Sequence, residues 1–167
     1  MKRALFFSLK SFRASINRAM IRVSRRSAQT DEPKMATTKP MPFKLAKRDA
    51  PLILLETKVD EKGPFRFVLD TGAGMTIISP ELAKKLDIKP NNKDKGTGAG
   101  GDVEVHFGTV KSLEIGGTQL EGLKVGVMDL TGISTAIETD IDGIIGYNFL
   151  KKFRVTIDYP KQMVTFE

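Results

Sequence analysis

Phe67-Val68-Leu69-Asp70-Thr71-Gly72-Ala73 delivers one carboxylate from the end of an apolar run into a turn of small residues. The apolar run reads as a buried strand. Gly72 lets the backbone turn sharply and lets another group approach closely. On its own the triplet also fits a strand that ends in an ordinary Asp turn, since Asp hydrogen-bonds its own backbone there. Chemistry is argued from what stands around it.

Some seventy residues later comes Asp142-Gly143-Ile144-Ile145-Gly146-Tyr147-Asn148-Phe149-Leu150. Two glycines bracket two buried-type residues, and a helix-like stretch follows. An apolar strand before Asp-Thr-Gly-Ala, a glycine-rich segment in the middle and Ile-Ile-Gly-Tyr-Asn-Phe-Leu near the end resemble the retropepsin-like aspartic proteases. The likeness is to the single-domain cellular members with one Asp-Thr-Gly per chain, and it covers about Leu52 to Glu167.

That resemblance implies a mainly β fold, a small closed barrel with one or two short helices. It implies an aspartic endopeptidase, in which two carboxylates share one proton and activate a water between them; this dyad is a standard illustration of like charges forced together. The chain carries one Asp-Thr-Gly and no internal repeat. The resemblance therefore implies a homodimer, with Asp70 of each copy meeting on a two-fold axis. It assigns Asp70, Thr71 and Gly72 to the catalytic turn and Ala73 to the substrate side. Gly98, Ala99, Gly100 and Gly101 become a flap whose amides contact bound peptide. Gly146, Asn148 and Leu150 become supports beneath the turn. The implied partner is a peptide or protein substrate, with neither metal nor cofactor. Two departures stand out. Gly74 follows the motif where many viral members carry an acid, and the chain ends in a full hairpin, so the terminal pairing that ties viral dimers is expected to differ. The contrasting reading is a non-catalytic protein-binding module that kept the fold.

Composition narrows the classes. The 167 residues suffice for one domain with a core. There is no Cys, which removes disulfides and thiolate metal sites, and His106 is the only histidine. No apolar run approaches the length of a membrane span. The formal charge of +7 is local: residues 1–34 hold nine Lys or Arg against Asp31 and Glu32, and residues 35–167 are neutral. A neutral domain argues against a nucleic-acid face.

Before Asp31 there is no acid, and Leu5, Leu9, Phe12, Ile16, Met20 and Val23 recur at helical steps among arginines and serines. Residues 1–26 thus read as a transit peptide or a membrane-surface helix, contacting an import receptor or an anionic lipid surface. The competing readings are a disordered tail, or an over-extended start with Met35 as the true first residue and a cytoplasmic protein. Residues 35–50 read as a linker, and 51–167 as the protease-like domain.

Within the domain the pattern is mostly strands. A turn is expected at Gly63-Pro64, a capped helix at Ser79-Pro80-Glu81, a hairpin around Gly116-Gly117 and a last hairpin around Tyr159-Pro160-Lys161. Gly96-Thr97-Gly98-Ala99-Gly100-Gly101 satisfies the dinucleotide pattern literally. That site needs a strand before and a helix after. Here Lys93-Asp94-Lys95 precedes and the alternating Val103-Glu104-Val105 follows, so a hairpin tip is expected. Asp140 and Asp142 lack the other ligands of a calcium loop.

Overall fold

The computed structural model describes residues 34–35, 39–46, 51–89, 92–98 and 101–167. The basic tail therefore lies, except for Lys34, outside the described residues.

Six strands close on themselves. β4 (Ile53–Val59) and β5 (Lys62–Leu69) form a hairpin, β5 pairs with β10 (Gly143–Ile145), and β10 with β6 (Ile77–Ile78). β6 then pairs with β9 (Thr118–Val127), β9 with β8 (Gly101–Ile115), and β8 returns to β4. The β5–β10 and β6–β9 contacts are parallel and the other four antiparallel. Closure leaves the ring without an exposed edge. The expected small β barrel is the observed one.

Residues 53–55 of β4, 67–69 of β5 and all of β10 are buried on both faces, which is why they read as unbroken apolar runs rather than alternating ones. Ile53, Leu55, Phe67, Leu69 and Ile145 point into the main core, with Phe149, Val164 and Phe166. Leu54, Val68 and Ile144 point the other way into a second cluster with Leu130, Ile137 and Ile141. The cover over that second face is α2 (Thr131–Ile137) and its flanks. This helix was not expected. Its apolar residues are spaced among Thr, Gly and Ser, so nothing local marks it, and Asp129 starts it by accepting from the Thr131 amide at 2.8 Å and hydroxyl at 2.6 Å. Helix α1 (Pro80–Lys85) begins as expected: the Ser79 hydroxyl accepts from the Leu82 amide at 3.1 Å, with Pro80 in the first turn.

The expected turn at Gly63-Pro64 is displaced. The chain reverses at Asp60 and Glu61, both left-handed with φ of 50° and 63°. Gly63-Pro64 lies inside β5, beyond a register shift. The Asp60 carboxylate stabilises the reversal by accepting the Ser112 amide at 3.0 Å. The Gly116-Gly117 hairpin is as expected, with φ of 58° and 82° supplying the backbone twist a two-residue turn needs.

The linker over 35–50 is corrected in its described part. β2 (Met41–Pro42) pairs with β12 (Met163–Phe166), and β3 (Lys44–Leu45) pairs with β4. Phe43 between them is buried in the main core. β1 (Lys34–Met35) pairs with β9. A Pro- and Lys-rich composition hid one aromatic anchor. β12 also pairs with β11 (Val155–Asp158), the last hairpin, so a small sheet runs β11-β12-β2.

Candidate active site

Asp70 sits where the parallel strands β5 and β10 end side by side. Leu69 is level with Ile145, and the next amide, that of Asp70, donates to the Ile145 carbonyl at 3.0 Å. The carboxylate then folds over its own turn: Oδ1 accepts the Gly72 amide at 2.8 Å, and the Ala73 amide reaches the Asp70 carbonyl at 3.3 Å. These bonds hold Oδ1, and among the described residues Oδ2 has no hydrogen-bond partner. A Cβ on Gly72 would lie 3.2 Å from Oδ1, so any larger residue there crowds the acid. Asp70 is half-buried, while Thr71 and Gly72 are exposed. Ala73 is half-buried and packs against the second apolar cluster beside Ile77.

The later motif lies against the same turn. Gly146 is buried with extended backbone, φ of −109°. Its need for glycine is spatial: a Cβ would run into the Met75 carbonyl group and the Thr76 amide. Gly146 leads into α3 (Tyr147–Leu150), and the Tyr147 amide donates to the Ala73 carbonyl at 2.7 Å. Asn148 then clips three elements together. Its Oδ1 accepts the Thr76 amide at 2.7 Å and the Thr76 hydroxyl at 2.9 Å, and its Nδ2 donates to the Lys124 carbonyl of β9 at 2.7 Å. Leu150 is buried in the main core.

Thr76 was overlooked. It is fully buried and its hydroxyl also accepts the Gly146 amide at 3.2 Å, so it joins the segment after the Asp70 turn to Gly146 and Asn148. In sequence it is only the first residue of Thr-Ile-Ile, and its partner lies 72 positions away.

The glycine-rich segment is a hairpin between strands. β7 (Asn92–Gly98) pairs with β8 down to Gly98 opposite Gly101, so a strand follows the segment where a dinucleotide site needs a helix. Ala99 and Gly100 lie outside the described residues. The hairpin prolongs β8 beyond its pairing with β9. Asp142 accepts the Arg66 amide at 2.8 Å, and the Arg66 guanidinium donates to the Asp140 carbonyl at 3.0 Å, so this pair of acids ties β5 to the approach of β10. His106 is half-buried on β8 and lines, with Ala83, Ile88, Val127 and Met128, a cleft of about 480 Å³ beside α1.

Comparison with known proteins agrees with this architecture. A family model described as aspartyl protease matches residues 55–149. The fold is similar to the crystal structure of a retropepsin-like aspartic protease from Rickettsia conorii, at 21% identity and a TM-score of 0.53, over 77% of this chain and 88% of that one. The EIAV protease complexed with the inhibitor HBY-793 matches at 22% identity and a TM-score of 0.41, over 60% of this chain and 85% of its own. No curated protein matches the chain.

Proposed function

The chain belongs to the aspartyl protease family, in its retropepsin-like form, and from that membership we propose that it is a homodimeric endopeptidase whose two Asp70 carboxylates activate one water. The observation that carries this is the placement of one half-buried acid at the end of the parallel pair β5–β10, with Oδ1 tied to the Gly72 amide and Oδ2 without a partner among the described residues. One carboxylate cannot both take a proton from water and give one to a carbonyl oxygen. Two at contact distance hold a single proton between them and supply both.

In this reading Thr71 and Gly72, exposed in the single chain, face the partner copy: Thr71 hydrogen-bonds across the axis and Gly72 leaves room for it. Ala73 borders the bound peptide, and Gly98, Ala99, Gly100 and Gly101 form the flap that closes on it. Gly146, Asn148 and Leu150 keep the turn from relaxing. The tail, residues 1–26, addresses the protein to an import receptor or an anionic lipid surface.

Asp70→Asn tests the chemistry. Its amide oxygen can still accept from Gly72, so the fold and its melting temperature should persist. Peptide cleavage should fall by several orders of magnitude, because Asn can neither act as base nor share the proton. For the parent, the rate against pH should be bell-shaped, both limbs belonging to the pair. Parental activity in the Asn variant would refute the mechanism.

A further inference from the structure

β8 changes partner along its length. From Gly101 to Phe107 it pairs with β7, and from His106 to Ile115 with β9. The glycine-rich hairpin therefore hangs on the barrel at His106 and Phe107, which pair on both sides. Two positions without a side chain lie beside that root: Gly108 on β8, and Gly126 on β9 opposite Phe107. A glycine inside a strand marks a bend or a place where another group comes close. Here each is covered by a neighbour. A Cβ on Gly108 would lie 2.8 Å from Cγ2 of Ile88, and one on Gly126 would lie 2.7 Å from Cδ1 of Ile77 and 3.0 Å from Cγ1 of Val105. Val105 belongs to the hairpin, and by strand alternation it stands on the face of β8 opposite to the open side of Gly108. The root is thus gripped from both faces at its thinnest point.

Ile88 is placed by α1. Asp87 takes left-handed backbone with φ of 54°, and the Ile88 amide donates to the Ala83 carbonyl at 2.9 Å, which closes the helix end. The helix start is tied as well, the Ser79 amide donating to the Asp142 carbonyl at 2.8 Å. Ile88 is half-buried: it packs on the main core and lines the cleft beside α1. A β-branched side chain has few rotamers with which to clear Gly108, and the cleft is where it can give way.

We propose that the contact of Ile88 with Gly108 is the fulcrum that sets the angle at which the glycine-rich hairpin leaves the barrel, which makes Ile88 a positioning residue for bound peptide. This rests on the reading of that hairpin as the segment that closes on peptide, and adds the side chain that aims it.

The test uses the full chain and reads the hairpin directly, from residual dipolar couplings of the amides of 92–98 and 101–107 measured against those of the barrel strands. Gly108→Ala pushes Ile88 toward the cleft, so the hairpin couplings should change while those of the barrel stay. Towards a peptide that the parent cleaves, KM should rise by about tenfold with kcat within about twofold, the pattern of lost binding rather than lost chemistry. Adding Ile88→Leu, which removes the methyl branch at Cβ, should restore both the couplings and KM. A merely structural role for Gly108 lowers the melting temperature without that paired recovery. Ile88→Ala adds no bulk and serves even if Gly108→Ala fails to fold. It removes the support, so amide exchange in the hairpin should quicken by about tenfold while the β8–β9 pairs stay protected. An unmoved hairpin in both variants, or a tilt that Ile88→Leu leaves in place, overturns the fulcrum and leaves the protease reading standing. A hairpin that moves and recovers with no change in KM overturns the positioning role. Couplings that move and recover in a parent that cleaves no peptide uphold the fulcrum and overturn the protease reading.

Discussion

At the scale of single residues, the Asp70 turn depends on a few polar atoms that cannot be replaced by bulk. Asn148 satisfies two groups of the buried Thr76 and one carbonyl of β9. Asn148→Ala strands the Thr76 amide and leaves the Thr76 hydroxyl proton without an acceptor, and should lower stability by about 1–3 kcal/mol, read by denaturant titration. Cleavage should fall further than that loss alone explains, because the turn loses its brace. Asp158 behaves differently. The Lys161 amide, donating to Oδ1 at 3.0 Å, holds the Asp158 carboxyl below its ordinary value, and the nearby Lys161 ammonium adds to the effect. The folded state therefore favours the ionised form. That preference is fully present above the ordinary carboxylate value and disappears as pH falls through the lowered one, below about pH 4. The last hairpin should loosen there first, visible as an earlier shift of the Lys161 amide resonance, and Asp158→Asn should remove this local pH dependence. Asp70, Gly72, Gly146 and Asn148 were legible in sequence because the motif names them. Thr76 was not, because its importance lies wholly in contacts made across 70 residues or more.

At the scale of elements, strands and capped turns were readable wherever a local rule applied. Ser79-Pro80 announces α1, and paired glycines announce the β8–β9 hairpin. The failures occurred where tertiary contacts overrode composition. Asp60 and Glu61 adopt left-handed backbone because the Ser112 amide stabilises it, so the turn falls three residues before the Gly-Pro that looks like one. α2 exists because Leu130, Ile133 and Ile137 have the back of β5 and β10 to cover. The segment Met41–Leu45 reads as linker, yet it seats Phe43 in the core and adds a strand to each sheet. Removing residues 1–46 should accordingly cost at least what a buried Phe→Ala change does, about 3–5 kcal/mol, and give an aggregating or unfolded product by circular dichroism.

At the scale of the whole molecule, charge and fold are separate: the excess positive charge belongs to residues 1–34 and the barrel is neutral. Removing residues 1–33 keeps β1 and every described core residue. Cleavage of a peptide library should be unchanged, and in cell fractionation the shortened protein should move to the soluble fraction; an inactive product would make the tail part of the catalytic unit. The barrel class was legible because alternating and continuous apolar runs report directly on burial. The closing order of the ring was not, since it is set by pairings such as Phe67 with Gly143, distant in sequence. That last pairing has a consequence for folding. β5 pairs with β10, and β2 with β12, across long stretches of sequence. Pairing over such separations is slow. The strand that sets the end of β5 therefore docks late, and a part-folded chain carries Asp70 without its setting.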